Sequence, residues 1–195
     1  TEALDYLQQH PEINEIIYSG GDPLASSNSQ LSWLNQQIVA VPHIKTLRIH
    51  TRLPVVLPQR IDAALLELLQ QWPGKKVVVI HSNHANELDD SVKDAISKLK
   101  AIGVTVLNQT VLLKGINDSA NTLVELSERL FDIGVLPYYL HLLDTVSGAA
   151  HFAISDTQAK LIMGEVTARL PGYLVPRLVR EEADKTSKTP ILPTL

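Results

Sequence analysis

The sequence predicts an α/β fold arranged as a partial (β/α) barrel. Apolar runs of strand length alternate with amphipathic helical patterns along the whole chain, which is typical of βαβ units around a parallel sheet. Polar residues recur at the C-terminal end of one run after another, which favours a barrel, because a barrel builds one shared site from such ends. An open, doubly wound sheet would use only its switch-point loops, and periodicity alone leaves both architectures open.

The apolar and amphipathic patterns predict strands and helices in alternation. The strands are predicted at 15–19, 46–51, 76–82, 104–110, 137–142 and 172–179. The helices between them are predicted at 29–41, 61–71, 88–102, 120–133 and 155–170. Two prolines, Pro54 and Pro58, predict a rigid extended loop after the second strand, because proline fits neither a regular strand nor the middle of a helix.

The two ends of the chain differ from its body. An amphipathic helical pattern begins directly after Thr1, which favours a fragment of a longer protein and also fits a processed protein. Residues 181–195 are charged, contain proline and show no periodicity. We therefore expect a barrel over residues 1–180 and a separate C-terminal tail over 181–195, which is either disordered or ordered by a ligand.

Composition narrows the class of protein. With 195 residues and 45% apolar content, the chain can bury one sizeable core. A net charge of −4 with scattered basic residues argues against nucleic acid as a partner. The chain has neither an apolar run of the roughly 20 residues that span a bilayer nor a signal peptide, so a cytoplasmic protein is expected. Cysteine is absent, which excludes disulfides and cysteine-ligated iron–sulfur clusters from this chain.

The loop after the first strand is the sharpest local signal. It reads Ser19, Gly20, Gly21 and Asp22, and two glycines let a backbone approach a ligand closely or adopt positive φ. Asp22 either offers a carboxylate to an ammonium group or caps the next helix. The GxGxxG spacing of a dinucleotide site is absent.

Later strand ends carry further polar candidates. Hydrogen bonding of His81 and His84 to a polar ligand is favoured over metal binding, since no third metal ligand is clearly supplied, and no metal site is predicted. The amides of Asn108 and Gln109 interrupt an apolar strand and bond either to neighbouring loops or to a ligand. Asp144 follows the fifth strand and is a candidate for holding an ammonium.

The loop that contains Pro54 and Pro58 is either a rigid connection after the second strand or a wall of a binding cleft, in which Arg52 or Arg60 faces an anion.

Six motifs in this order resemble the lysine 2,3-aminomutase family of radical S-adenosylmethionine enzymes. They are SGGDPL, RIHTRLPVVLPQRI, HSNHANE, LNQTVLLKGIND, PYYLHLLDTVSGAAHF and SKTP. PYYLHLLD, GAAHF and the ending GYLVPRLVREE are most similar to the bacterial branch that makes (R)-β-lysine for modification of elongation factor P. The resemblance implies a radical SAM barrel that lacks its first β/α unit, with the family's CxxxCxxC cluster loop upstream of this chain.

The resemblance implies roles for the cofactor residues. Lys188 in SKTP matches the lysine that carries pyridoxal phosphate as a Schiff base, and Lys185 is the neighbouring alternative. The segment that holds the methionyl amino end of S-adenosylmethionine is matched by Ser19, Gly20, Gly21 and Asp22. Gln109 matches a residue near the carboxylate of that cofactor, and His84 lies in a segment that flanks its nucleoside.

The resemblance also implies a substrate site. Asp144 and Glu181 match two acids that grip the distal ammonium of the substrate lysine. Glu181 stands where the catabolic enzymes have aspartate, which would shift the ammonium by about one methylene.

The activity implied by the resemblance is the conversion of L-α-lysine to (R)-β-lysine by a radical derived from S-adenosylmethionine, with pyridoxal phosphate stabilising the migrating amine. The [4Fe–4S] cluster would exist only in the full-length protein, so this chain alone is expected to be inactive, and a homo-oligomer is left open. The alternative is a catalytically silent β/α domain that binds a nucleotide or amino acid in a regulatory role. A pyridoxal phosphate enzyme without radicals fits less well, because no phosphate cradle is evident.

Overall fold

The computed structural model describes residues 2–144 and 148–194, so residues 145–147 of the PYYLHLLDTVSGAAHF motif lie outside the description. Its strands are β1 (Glu15–Tyr18), β2 (Thr46–Thr51), β3 (Lys75–His81), β4 (Val104–Leu112), β5 (Leu136–Leu142), β6 (Arg177–Arg180) and β7 (Thr189–Pro190). Its α-helices are α1 (Glu2–Gln9), α2 (Asn28–Val39), α3 (Leu53–Val56), α4 (Ala63–Gln70), α5 (Asp90–Ala101), α6 (Ala120–Asp132) and α7 (Asp156–Arg169). Among these described helices, none has the length and apolar character needed to cross a membrane.

The strands follow one another in the sheet in chain order, from β1 to β7. β1 pairs parallel with β2, β2 with β3, β4 with β5 and β5 with β6, whereas β7 is antiparallel to β6. A doubly wound sheet reverses its order at a switch point, so this sequential order is that of a β/α barrel. The predicted fold class, a partial (β/α) barrel, is confirmed.

The chain divides into two compact units. The first comprises residues 1–80 and 90–106. In it Glu15 pairs with Thr46, and Thr46 pairs with Lys75, so the three strands start level with one another. Alternation then buries one face of β2, and the buried apolar residues of this unit include Leu31, Ile38, Leu47, Ile49, Leu65 and Leu69. Both the strands and the helices of this unit therefore contribute buried apolar side chains.

The second unit comprises residues 81–89 and 107–195. Its hydrophobic core contains residues from one face of the strands β4, β5 and β6 and from the helices α6 and α7. It includes Leu112, Leu123, Leu140, Leu142, Met163 and Leu178. Both helices begin at serine caps: Ser119 accepts a hydrogen bond from the Thr122 amide, and Ser155 accepts one from the Gln158 amide. The residues at intervening positions of the strands form the opposite face, which carries the candidate site.

Two predicted segments differ from the structure. The proline stretch is helical rather than extended: α3 is followed by a 3-10 turn over Pro58–Arg60, and both begin with proline in the first turn, where a missing amide hydrogen costs no bond. The sixth strand begins only at Arg177, and Gly172–Leu174 form a 3-10 turn. Pro176 lies between turn and strand and lacks the amide hydrogen that a longer strand would need.

The C-terminal tail folds back on the second unit. Val179 pairs with Pro190 and Arg180 pairs with Thr189, and the Ile191 amide donates to the Leu178 carbonyl at 2.9 Å. Further along, the Thr194 amide donates to the Lys160 carbonyl at 3.1 Å. Residues between β6 and β7 therefore form a turn that lies beside the C-terminal end of β6.

Candidate functional site

The glycine loop after β1 is shaped by two positive φ angles. Gly20 has φ 85° and Gly21 has φ 59°, which side chains with a Cβ rarely adopt. A Cβ at either position would meet no atom within 4 Å, so the loop has open space beside its backbone. The backbone of this loop is therefore accessible to a ligand.

Asp22 is held by three donors from its own unit. Its Oδ1 accepts from the Leu24 amide at 3.0 Å and from the Thr51 hydroxyl at 2.7 Å, and its Oδ2 accepts from the Arg52 amide at 2.7 Å. The carboxylate thus caps the 3-10 turn Pro23–Ala25 and ties it to the end of β2. The capping alternative holds, and a ligand ammonium would have to share this carboxylate with those donors.

Arg60 has a structural role in the same unit. Its Nε donates to the Leu24 carbonyl at 2.7 Å, and its Nη2 donates to the Ser26 carbonyl at 3.1 Å and to Asn28 Oδ1 at 2.7 Å. These bonds fix the loop that follows the glycines. The guanidinium therefore supports that loop rather than being reserved for an anion.

His84 lies in a capped loop after β3. Its Nδ1 accepts from the Asn86 amide at 3.1 Å, which in the neutral ring assigns the proton to Nε2. Glu87 Oε1 accepts from the amides of Asn83 and His84 at 2.6 Å and 2.9 Å, which completes a capping box. The loop itself thus sets the ring's orientation and tautomer.

Asn108 belongs to a buried amide network rather than to a ligand site. Its Oδ1 accepts from the Ser82 amide at 2.9 Å, and its Nδ2 donates to the Ser82 carbonyl at 3.1 Å and to Thr110 Oγ1 at 2.8 Å. Asn108 is 1% exposed and Ser82 is fully buried, so these bonds satisfy backbone groups where β3 ends. The neighbour-bonding alternative holds for Asn108.

Asn117 extends the support of this loop. Its Nδ2 donates to the carbonyls of Asn83 and Val111, both at 2.9 Å, and Asn83 Oδ1 accepts from the Val111 amide at 2.9 Å. Side-chain amides thus replace the strand ladder between the loop and β4. The sequence gives little sign of this role, since Asn117 lies in a segment that reads as an ordinary turn.

A bulge in β5 turns two tyrosines toward each other. Asn108 pairs with Pro137 and Gln109 pairs with Tyr139, which leaves Tyr138 as the extra residue. The rings of Tyr138 and Tyr139 lie 3.9 Å apart, and their hydroxyls are joined by a 3.2 Å hydrogen bond. After the bulge, Gln109 shares a strand face with Tyr139 and His141, opposite the core residue Leu140.

The tail brings Lys188 and Glu181 onto this face. Lys188 Nζ forms an ion pair and a hydrogen bond with Glu181 Oε1 and lies 5.6 Å from the centre of the Tyr139 ring. His141 Nδ1 lies 3.9 Å from the same Glu181 oxygen, and the rings of Tyr139 and His141 meet edge to face at 5.6 Å. A lysine, an acid, an imidazole and an aromatic ring therefore form one cluster in the second unit.

The surroundings of His141 lower its pKa and so favour the neutral imidazole. Burial holds the pKa of His141 below its usual range, and the Lys188 cation acts in the same direction. Glu181 and Asp144 oppose this effect on the pKa, and His81 adds a little to the lowering. Nε2 of His141 is buried and has no hydrogen-bond partner among the described residues, so a polar atom here is left for a ligand or solvent.

The structure distributes the predicted site residues over both units. Ser19, Gly20, Gly21 and Asp22 lie in the first unit, and His84, Gln109, Asp144, Glu181 and Lys188 lie in the second. Lys188 and Glu181 are in direct contact, and Asp144 is near enough to act on the charge of His141. Lys185, the alternative to Lys188, is exposed.

Sequence reasoning did not select Tyr139 and His141 as site residues. The signal was present, because both alternate with buried leucines on the strand that ends before Asp144.

The fold of this chain is similar to that of a known protein. No family model matches the chain. A radical SAM methyltransferase from Sphaerobacter thermophilus superposes with a TM-score of 0.57 and 17% identity, over 87% of this chain and 52% of that one. The chain therefore shares its β/α barrel fold with that enzyme.

Sequence similarity defines the family. The chain is 53% identical to L-lysine 2,3-aminomutase of Escherichia coli K12 over 97% of its own length and 55% of that protein. It is 52% identical to L-lysine 2,3-aminomutase of Haemophilus influenzae, over 96% of its length and 55% of that protein. The chain belongs to the lysine 2,3-aminomutase family and spans about half the length of these relatives.

Removing the buried amide of Asn108 should destabilise the chain. Asn108→Ala leaves the Ser82 amide without its side-chain partner and the Ser82 carbonyl with the Thr110 hydroxyl as its remaining side-chain donor, so we expect the free energy of unfolding to fall by about 2–3 kcal/mol. Gln109→Ala is the matched control, because the neighbouring amide lies on the other face and is only half-buried; its cost should stay below about 1 kcal/mol. Equal costs in urea unfolding would contradict the network.

His141 should make the stability of the chain depend on pH. Because its folded-state pKa is lowered, the unfolded chain takes up a proton here at a higher pH than the folded chain does. Its contribution to stability is therefore present above the ordinary histidine pKa of about 6.5 and is lost as the pH falls below it.

The test is urea unfolding at several values between about pH 7.5 and pH 5. His141→Gln should lose less stability across this window than the wild type, whereas His151→Gln, at an exposed position, should follow the wild type. Identical pH slopes for wild type and His141→Gln would refute the assignment. The charged groups that face His141 are Lys188, Glu181, Asp144 and His81, and they are unchanged in both variants.

Proposed function

We propose that this chain is the cofactor- and substrate-binding part of a lysine 2,3-aminomutase that converts L-α-lysine to (R)-β-lysine. The observation that carries the proposal is 53% identity to an L-lysine 2,3-aminomutase over nearly the whole chain. The cluster of Lys188, Glu181, His141 and Tyr139 supports it, because it offers an amine, an acid and an aromatic surface on one strand face.

Lys188 is the proposed attachment point for pyridoxal phosphate. Its side chain is 29% exposed, so a cofactor can reach the amine. It belongs to a tail that pairs with β6, and this pairing holds the lysine in place. The unpartnered Nε2 of His141 leaves a buried polar atom near that amine. These residues fit an aldehyde cofactor, which when bound supplies an electron sink for the migrating amine.

The glycine loop is the proposed site for the amino end of S-adenosylmethionine. The backbone of Gly20 and Gly21 is exposed and has open space beside it. These residues bind and orient the molecule, and when bound it supplies a 5′-deoxyadenosyl radical.

The iron–sulfur cluster does not fit this chain. Its ligands are thiolates, and the sequence has no cysteine. We therefore propose that catalysis belongs to a protein of the relatives' length that contains this chain, and that the 195-residue chain alone binds but does not catalyse.

Glu181 and Asp144 are the proposed acids for the distal ammonium of the substrate. Glu181 already holds one ammonium, that of Lys188, and Asp144 is exposed near the same cluster. The aromatic face of Tyr139 offers a surface for the methylenes of a lysine side chain. These groups would bind and orient the substrate, and β5 beneath them would exclude water from one side.

Within the family we propose the branch that serves elongation factor P. The support is sequence alone: PYYLHLLD, GAAHF and the ending GYLVPRLVREE. The partner of the product would then be elongation factor P, which receives the β-lysine.

The test of the function is a product assay. A protein of the relatives' length that contains this chain is reconstituted anaerobically with iron, sulfide, S-adenosylmethionine, pyridoxal phosphate and a reductant, and L-lysine is supplied. (R)-β-lysine is expected, detected by chiral chromatography and mass spectrometry, and the 195-residue chain alone should give none. A cluster-loaded protein that makes no β-lysine would overturn the proposal.

The assignment of Lys188 has a separate readout. Incubation with pyridoxal phosphate followed by borohydride should fix the cofactor to Lys188, as seen by peptide mass spectrometry. Lys188→Ala should abolish this label together with β-lysine formation, whereas Lys185→Ala, in the same exposed turn, should keep both. A label that persists in Lys188→Ala would move the attachment point elsewhere.

A further inference from the structure

A small cleft lies between α2 and α4 of the first unit, and its volume is about 150 Å³. Its polar lining consists of Ser32, Asn35, Gln36 and Gln71. A cavity of this size can hold a molecule about as large as benzene. None of these lining residues belongs to the cofactor and substrate sites proposed above, so any function of the cleft is a separate one.

Asn35 contributes an unpaired hydrogen-bond donor to the cleft. The residue is only 7% exposed. Its Oδ1 accepts a hydrogen bond from the Tyr18 hydroxyl at 2.7 Å, whereas its Nδ2 is buried and has no hydrogen-bond partner in the described part of the chain. Because buried amide groups almost always have a partner, the Nδ2 donor is left for an acceptor that the described residues do not supply.

The Tyr18 hydroxyl fixes the orientation of the Asn35 amide. Burial raises the pKa of Tyr18, so the hydroxyl keeps the proton with which it donates. A reversed amide would present Nδ2 to the hydroxyl and leave that proton without its acceptor. Since Oδ1 is held by Tyr18, Nδ2 is the polar atom of Asn35 that remains for the cleft.

The other lining residues favour a neutral ligand. Val39, Leu68 and Trp72 supply apolar surface, and the last two are buried. Over the described residues, no charged side chain lines the cleft, so an ionised ligand would lose its hydration without gaining a counter-charge. Gln36 and Gln71 are exposed, and their amide oxygens can accept hydrogen bonds at the mouth of the cleft.

We propose that this cleft binds a small neutral molecule that carries a primary amide on a short apolar body. The carbonyl oxygen of the ligand accepts from Nδ2 of Asn35, and its NH₂ group donates to the glutamine side chains at the mouth. Its apolar part packs against Leu68 and Trp72. The inference goes beyond the proposed function and does not depend on it.

The experiment follows the 195-residue chain by NMR while isobutyramide is added. The side-chain NH₂ resonances of Asn35 and the indole N–H resonance of Trp72 should shift in a saturable manner. The indole N–H resonance of Trp33, the other tryptophan of the chain, should stay in place because Trp33 lies outside the cleft. Isobutyrate has the same shape but a negative charge, so it should shift none of these resonances.

Two variants on α2 test the role of the Asn35 donor. Asn35→Asp keeps an acceptor for Tyr18 and removes the Nδ2 donor, so the Kd for isobutyramide should rise at least about fivefold. Gln37→Glu makes the same change from amide to acid at a residue of α2 that does not line the cleft, so its Kd should match that of the wild type.

Three results would overturn the inference. The first is a wild type whose Asn35 and Trp72 resonances do not move, which would mean that the cleft holds water alone. The second is an equal shift with isobutyrate, and the third is an unchanged Kd in Asn35→Asp. The first two results are measured on the wild type, so the test does not depend on the folding of a variant.

Discussion

Successive side chains of β5 point to opposite faces of the sheet, and the arrangement of the second unit depends on this alternation. Leu140 and Leu142 enter the core against α6 and α7, so Tyr139 and His141 are committed to the other face. A shift of one residue in register would exchange the two sets and bury an imidazole and a phenol in an aliphatic core. The same register of β5 therefore places the leucines in the hydrophobic core and Tyr139 and His141 in the polar cluster.

The bulge at Tyr138 refines this arrangement. It adds one residue to β5 opposite Asn108 and Gln109, after which the regular register resumes. The extra residue places the Tyr138 ring against Tyr139, and the two hydroxyls form a hydrogen bond. This bond helps to fix the Tyr139 ring that faces the Lys188 ammonium. Bulges are frequent beside binding sites because they re-aim a side chain without breaking the sheet.

Sequence reasoning succeeded where a pattern had one physical meaning. Alternating apolar runs predicted β1 to β5 within a few residues, and the recurrence of polar strand ends chose the barrel correctly. It left two outcomes open where local chemistry allowed both, as with Asn108 and Gln109: adjacent amides look alike in sequence, yet alternation buries one in a backbone network and leaves the other half-buried on the opposite face. The return of the tail as β7 was also invisible, since a two-residue strand has no periodicity and its pairing depends on β6.

Glu181 and Lys188 both stand on the turn between β6 and β7, and the consequence is thermodynamic. Two residue pairs and a few further hydrogen bonds hold this turn, so the fraction of molecules in which it is docked is set by an equilibrium of its own. For the cofactor proposed at Lys188 and the substrate proposed at Glu181, the apparent dissociation constants are both divided by that same fraction. A single loosened contact beneath the turn would weaken the affinity for each of them by an equal factor, even though neither molecule touches the altered residue.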